Sequence, residues 1–285
     1  MAQRIVVTGA AGQAGRAVVT DLREHGYEVI ATDTAVSRAD REDGMLRADL
    51  TDYGQAVEVL SEPGTDAVVH LANIPAPGLS TPAVTFNANM AMNFNVFAAA
   101  AAVKLSRVVW ASSETTLGLP FDTPPRYAPA DEDHYPVPTS TYALSKVASE
   151  TIAGHIAQWS GIPFIALRFS NIMAPEDYSR FREFQDDPHA RKWNLWGYID
   201  QRDVAQACRK ALEVDAAAVT GNPAFIIAAA DTVMNRPSAE LLAAVYPQVK
   251  LTRDVGEHGT LLAIDRAREV LGFNPEHSWR NHVTA

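Results

Sequence analysis

A β-branched run, Ile5-Val6-Val7, passes directly into Thr8-Gly9-Ala10-Ala11-Gly12-Gln13-Ala14-Gly15, where a helical stretch begins. That junction restricts the fold more than any other feature of the chain. Gly9 permits a tight turn out of a strand, and Gly15 lets a helix pack closely behind it. Gly12, Gln13 and Ala14 fall at the helix start, where bare backbone amides make a place for a pyrophosphate. The G-x-x-G-x-x-G spacing is one residue longer than the G-x-G-x-x-G dinucleotide fingerprint, but the strand-turn-helix context is the same.

The rest of the chain repeats this alternation. Residues 29–31, 67–71, 108–111, 164–167 and 224–228 read as further strands, continuous and rich in β-branched residues, as strands covered on both faces are. Helical spacing runs through residues 13–24, 53–60, 83–103, 141–159 and 202–212. Alternating β and α elements predict a doubly wound parallel α/β sheet with helices on both sides. Residues 1–170 are expected to form a nucleotide-binding core to which 198–230 return. Residues 171–197 and 231–285 are expected to form a small C-terminal substrate-binding lobe. Residues 119–139 carry six prolines and the acidic run Asp131-Glu132-Asp133, which reads as an ordered surface loop.

At 285 residues, with one cysteine, Cys208, the chain is long enough to bury a core without disulfides or metal. The formal net charge of −10 argues against nucleic acid or an anionic membrane as partner. The first strand begins at once, with no charged leader or long apolar stretch. A cytoplasmic protein is therefore expected. The eight histidines show no metal-ligand spacing, so no metal site is expected.

The second strand ends in Ala31-Thr32-Asp33. A carboxylate about twenty residues past the glycine loop can accept both hydroxyls of a ribose and repels a 2′-phosphate, so Asp33 favours NAD over NADP. Arg38 and Arg41 follow closely and keep NADP open.

Tyr142 and Lys146 stand four apart in a helical stretch and share a face. A phenol is a poor base at neutral pH, but a neighbouring ammonium stabilises its phenolate and lowers its pKa. Such a pair can move a proton to or from a hydroxyl while hydride leaves the same carbon. Ser113 follows the strand at 108–111, at the carboxyl edge of the sheet, and is placed to hold the substrate oxygen. Ser112 and Thr115 read as its structural neighbours. Tyr-x-x-x-Lys alone is common by chance; what specifies it here is the order of glycine loop, post-strand serine, then Tyr-x-x-x-Lys.

With these residues in place, the sequence resembles the extended branch of the short-chain dehydrogenase/reductase superfamily, its sugar epimerase/dehydratase group. TGAAGQAG at 8–15, Asp33, Asp49-Leu50, His70-Leu71-Ala72, Asn89, ASSETTLG at 111–118, YALSK at 142–146, LRFSN at 167–171, YIDQRDVA at 198–205 and LGFNP at 271–275 carry the likeness. The resemblance implies a Rossmann-type core, bound NAD and a homodimer. It places Asp49 and Leu50 beside the adenine. Leu71, Ala72, Asn73 and Ala111 would line the cofactor groove, and Asn89 would lie near the cofactor or a structural water. Asn171 and Glu114 would face the substrate. His70 at a strand end also fits a packed core histidine, and Asp203 fits a helix cap.

Departures from the group narrow the reaction. The Asp-Glu pair of its dehydratases is Glu114-Thr115 here. The Arg-Asp that commonly precedes Tyr-Ile in its nucleotide-sugar epimerases is Trp196-Gly197, and the stretch from Asn171 to Tyr198 is short. The shortness, the TGAAGQ loop and Tyr178-Ser179-Arg180 are similar to uronate dehydrogenases. Arg180 is thereby expected to clamp a carboxylate or hydroxyls, with Arg182 nearby. The leading expectation is NAD-dependent oxidation or reduction of a sugar, sugar acid or related polyhydroxylated small molecule. The alternatives are a nucleotide-sugar epimerase with tightly held NAD and a non-catalytic NAD-binding regulatory protein.

Overall fold

The computed structural model describes residues 3–134 and 136–282. Strands β1 (Arg4–Thr8), β2 (Glu28–Asp33), β3 (Leu46–Arg47), β4 (Thr65–His70), β5 (Arg107–Ser113), β6 (Phe164–Phe169) and β7 (Ala224–Ile227) form one sheet. Its order is β7-β6-β5-β4-β1-β2-β3, and every neighbouring pair is parallel. The direction of winding reverses between β1 and β4, and in open α/β sheets the crevice at that reversal is where ligands bind.

Seven α-helices accompany the strands among the described residues: α1 (Gln13–Glu24), α2 (Arg38–Glu42), α3 (Tyr53–Leu60), α4 (Pro82–Val103), α5 (Thr141–Ser160), α6 (Gln201–Glu213) and α7 (Ser238–Val245). The strands' side chains alternate between faces. Val7, Val69, Val109 and Ile165 pack with Val18 and Leu22 of α1 and Cys208 of α6. On the opposite face Val6, Val68, Val108 and Trp110 pack with Val59 of α3, Phe97 of α4 and Ile156 of α5. A third apolar cluster joins Ile226 of β7 to Phe121, Tyr178, Trp196, Tyr198, Leu262 and Trp279. It unites the proline-rich loop, the segment before α6 and the end of the described chain.

A buried polar chain crosses the middle of the core. Thr8 Oγ1 lies 2.7 Å from His70 Nδ1, and His70 Nε2 lies 2.9 Å from Asn93 Oδ1. Asn93 Nδ2 donates to Ser149 Oγ at 2.8 Å. Burial, with the charge of Lys146, pushes His70 down to about 3, so it is a neutral core histidine that ties β1, β4, α4 and α5 together. At the outer edge, Glu132 of the proline-rich loop accepts the Ile226 N–H at 2.7 Å. Asp203, buried at the start of α6, accepts the Glu276 and His277 N–H groups at 3.0 Å each and secures the C-terminal segment. No helix among the described residues is long and apolar enough to cross a membrane.

Candidate active site

The carboxyl ends of β1, β4, β5 and β6 open onto a cavity of about 910 Å³. Gly9, Gly12, Gln13, Ala14, Gly15 and Asp33 line one end, and Leu50, Leu71, Ala72 and Asn73 continue the wall. Gly9 has φ +68°, and a Cβ there would lie 2.7 Å from the Ala72 nitrogen. A Cβ on Gly15 would lie 2.1 Å from the Gly9 carbonyl oxygen. Both positions therefore demand glycine, the second because α1 presses on the turn itself. Gly12 caps α1 with no side-chain acceptor, leaving the amides of the first turn to an anion.

Asp33 closes the end of β2. One carboxylate oxygen accepts the Ala11 N–H and the other the Ala35 N–H, both at 3.0 Å. Arg38 pairs with Glu42 at 2.9 Å and is 89% exposed, and neither it nor Arg41 lines the cavity. A cradle shaped for backbone approach, an uncapped helix N-terminus and a ribose-height carboxylate together fit a dinucleotide without a 2′-phosphate.

Ser113, Tyr142 and Lys146 line the same cavity, with Ala111, Glu114 and Asn171 beside them. Ser113 ends β5, and its Oγ accepts from the Thr115 N–H at 3.2 Å and the Thr115 hydroxyl at 3.0 Å. Ser140 caps α5, its side chain accepting the Ala143 N–H at 3.1 Å, so Tyr142 and Lys146 lie in the first two turns of the helix. Lys146 Nζ sits 5.6 Å from the Tyr142 ring centroid and donates to the Ala111 carbonyl at 2.6 Å. Burial pushes the Tyr142 phenol up to about 12, against a hydrogen bond from Ser113 and in concert with the Glu114 charge. Burial also brings Lys146 down to about 7, against the attraction of Glu150. The expected lowering of the phenol by the lysine does not appear here: the pocket excludes water from both groups, and each shifts toward its neutral form.

Glu114 is 3% exposed, and burial raises its carboxyl to about 7, opposed by the neighbouring Ser170 hydroxyl, by the hydrogen bond from Asn194 and by the Arg191 charge. Further back, Glu150 accepts two hydrogen bonds from Arg168, at 2.9 and 2.8 Å, and one from Ser112 at 2.5 Å. This buried ion pair fixes α5 against β5 and β6.

Three residues expected at the site lie elsewhere. Asp49 folds back on its own turn, accepting from Thr51 N–H at 3.0 Å, while Ala48 and Leu50 reach the cavity. Asn89 is buried and grips the Ile74 backbone, N–H at 2.8 Å and carbonyl at 3.1 Å, so it shapes the wall from behind. Arg180 is exposed on the 3₁₀ turn Pro175–Phe184, whose inward face carries Tyr178 and Phe181. Conversely, Trp193, Ser170, Thr139 and the Ile74-Pro75-Ala76-Pro77 run line the cavity. Thr139 and Trp193 lie in the proline-rich loop and the expected lobe that the sequence marks out, but which side chains turn inward there is not readable from it.

The profile of the NAD dependent epimerase/dehydratase family matches residues 5–228. The chain belongs to this family. A UDP-glucose 4-epimerase of Rhizobium leguminosarum bv. trifolii is 26% identical over 96% of this chain and 93% of its own length. An L-arabinose 1-dehydrogenase (NAD(P)(+)) of Haloferax volcanii is 28% identical over 74% of this chain and 82% of its own. Among solved structures, a mutated uronate dehydrogenase shares the fold with a TM-score of 0.68 and 22% identity, over 99% of this chain and 84% of that one. The family member described here is thus an NAD-dependent extended short-chain dehydrogenase/reductase with a parallel Rossmann sheet.

Proposed function

We propose that this chain is an NAD-dependent dehydrogenase acting on a hydroxyl or carbonyl of a free sugar, sugar acid or related polyhydroxylated small molecule. The observation that carries this reading is the convergence of Ser113, Tyr142 and Lys146 on the cavity whose other end is the glycine cradle. When bound, NAD supplies a nicotinamide that takes hydride from a hydroxyl-bearing carbon or returns it. Gly9, Gly12 and the α1 N-terminus hold its pyrophosphate, and Asp33 accepts from a ribose. Tyr142 moves the hydroxyl proton, Ser113 holds the substrate oxygen, and Lys146 bonds the second ribose and favours the phenolate when charged.

With the phenol at about 12, Tyr142 is the proton donor for carbonyl reduction at neutral pH. Oxidation needs the phenolate, so its rate is expected to climb with pH through the alkaline range. The test is absorbance at the NADH wavelength with purified protein, NAD and a panel of sugars, uronic acids and polyols. NADH formation with one of them establishes the reaction.

The second reading is an epimerase, favoured by the 26% identity of the whole chain to a protein named UDP-glucose 4-epimerase. It expects NAD to be released when the protein is denatured, and no net NADH from any compound. We also infer a homodimer through α4 and α5, where Val84, Phe94, Leu144 and Trp159 are exposed, the last at 73%. Light scattering that shows a monomer at every concentration removes it.

A further inference from the structure

We propose that the substrate end of the cavity selects an uncharged polyhydroxylated compound, with Glu114 as the side chain that binds one of its hydroxyls and turns away carboxylates and phosphates. This rests on the dehydrogenase reading and narrows its substrate class. Glu114 opens the 3₁₀ turn Glu114–Leu117 immediately after Ser113, so its carboxyl enters the cavity beside the group assigned to the reacting oxygen. One oxygen, Oε1, accepts from Asn194 Nδ2 at 3.2 Å. The other, Oε2, is buried and makes no hydrogen bond of full geometry, although the Ser170 hydroxyl stands close enough to stabilise its charge. Ser170 Oγ, which also belongs to the lining, is equally buried and likewise makes no hydrogen bond of full geometry. Buried polar atoms are rarely left unpaired, because each then forfeits its hydration without return. These two neighbours satisfy each other only in part, which leaves capacity on one cavity wall for a ligand with hydrogen-bonding groups.

The charge of the lining decides which groups. Among the described lining residues the ionisable side chains able to carry charge near neutral pH are Asp33, Glu114 and Lys146. Lys146 already donates to Ala111. Arg191 backs Glu114, but its guanidinium lies 4.9 Å from the Trp193 ring centroid and its Nη2 donates to the Gly197 carbonyl. It is Trp193, not Arg191, that reaches the cavity. A carboxylate or phosphate would face an acidic group in a lining whose one cation, Lys146, is turned to Ala111 and to the cofactor ribose, which low-dielectric surroundings penalise heavily. An ammonium group fits no better, since Lys146 lines the same space and Arg191 stands behind the carboxyl. A hydroxyl both donates and accepts. It serves Oε2 whether Glu114 is ionised or protonated, and it complements the Ser170 hydroxyl equally well.

The test compares neutral aldoses and polyols with matched uronic acids and sugar phosphates, by NADH formation and by calorimetric titration of the NAD-loaded protein. The wild type is expected to favour neutral compounds by about 100-fold in kcat/KM. Glu114→Ala is expected to raise KM for the best neutral compound about tenfold, with kcat changed less. Glu114→Gln, which keeps a donor and an acceptor, stays within about threefold. A merely structural Glu114 would make both variants equally poor and lower kcat with KM. Uronates or phosphates used as well as neutral sugars, or an unchanged KM in Glu114→Ala, overturn the proposal. If no compound yields NADH while neutral ones bind in a Glu114-dependent way, the dehydrogenase reading fails and this assignment stands.

Discussion

The two ends of the cavity are built differently. At the cofactor end the shape belongs to the backbone: the Gly9 turn, the uncapped first turn of α1, and a carboxylate, Asp33, that is held by two backbone amides. At the substrate end the shape belongs to side chains on loops, among them Trp193, Thr139 and Asn171, and to polar atoms only partly satisfied from within, Glu114 Oε2 and Ser170 Oγ. A backbone cradle accepts one ligand shape and persists while substrates change. A wall of loop side chains can be rewritten one residue at a time. The contrast accounts for a family whose members share a cofactor and differ in substrate.

Variants can separate the two ends. Tyr142→Phe, at their meeting point, is expected to lower kcat about 10³-fold while NAD binding by fluorescence titration and melting temperature stay near wild type. Full turnover in that variant would remove the proton-shuttle role. Gly15→Ala, confined to the cofactor end, forces a Cβ to within 2.1 Å of the Gly9 oxygen. It is expected to cost about 2–3 kcal/mol in denaturant unfolding and to weaken NAD; an unchanged midpoint would mean that α1 slides freely. Asp33→Ala removes the acceptor shared by Ala11 and Ala35. A loss of about tenfold in NAD affinity with a rise in the NADP/NAD ratio is expected, whereas equal losses for both cofactors would deny the ribose contact.

The smallest effect concerns the substrate end and is read by pH. Burial holds the Glu114 carboxyl near 7 against an ordinary 4.5. Between those values the folded state keeps a proton that the unfolded chain releases, so this group's stabilising contribution is full below 4.5 and is lost as pH rises through 7. Glu114→Gln lacks that loss. Its melting temperature relative to wild type is expected to gain about 3 °C between pH 5 and pH 8, and a pH-independent difference would contradict the buried titration.

The same contrast governs how much of the molecule can be read from its sequence. Where period and turn chemistry act, boundaries agree closely: α1 and α3 coincide with the helical spacing at 13–24 and 53–60, and β6 extends the run at 164–167 by two residues. Two-residue β3 escapes because Leu46, 40% exposed, sits in no apolar run. α2 is too short to show a period and is made by a capping box, in which Ser37 and Asp40 satisfy each other's backbone N–H groups. At the site, the glycine loop, Asp33, Ser113 and Tyr142-x-x-x-Lys146 are legible because each stands at a fixed offset from a regular element. Arg180 is not. Whether it faces in or out depends on the phase of one 3₁₀ turn, and the pull of Tyr178 and Phe181 into the core sets that phase. Of the aromatics in this stretch, Tyr178, Phe181 and Trp196 are core, and Trp193 alone reaches the cavity.

The hydrogen bond from Ile226 to Glu132 has a further consequence. β7 is the last strand of the sheet, and a bare terminal strand is a template on which another polypeptide can add itself. Glu132 occupies the β7 N–H at 2.7 Å, and the opposite border, β3, is only two residues long. Both borders are thus blunted against strand recruitment, so resistance to aggregation depends on an acidic side chain of the proline-rich loop as well as on the packing of the core.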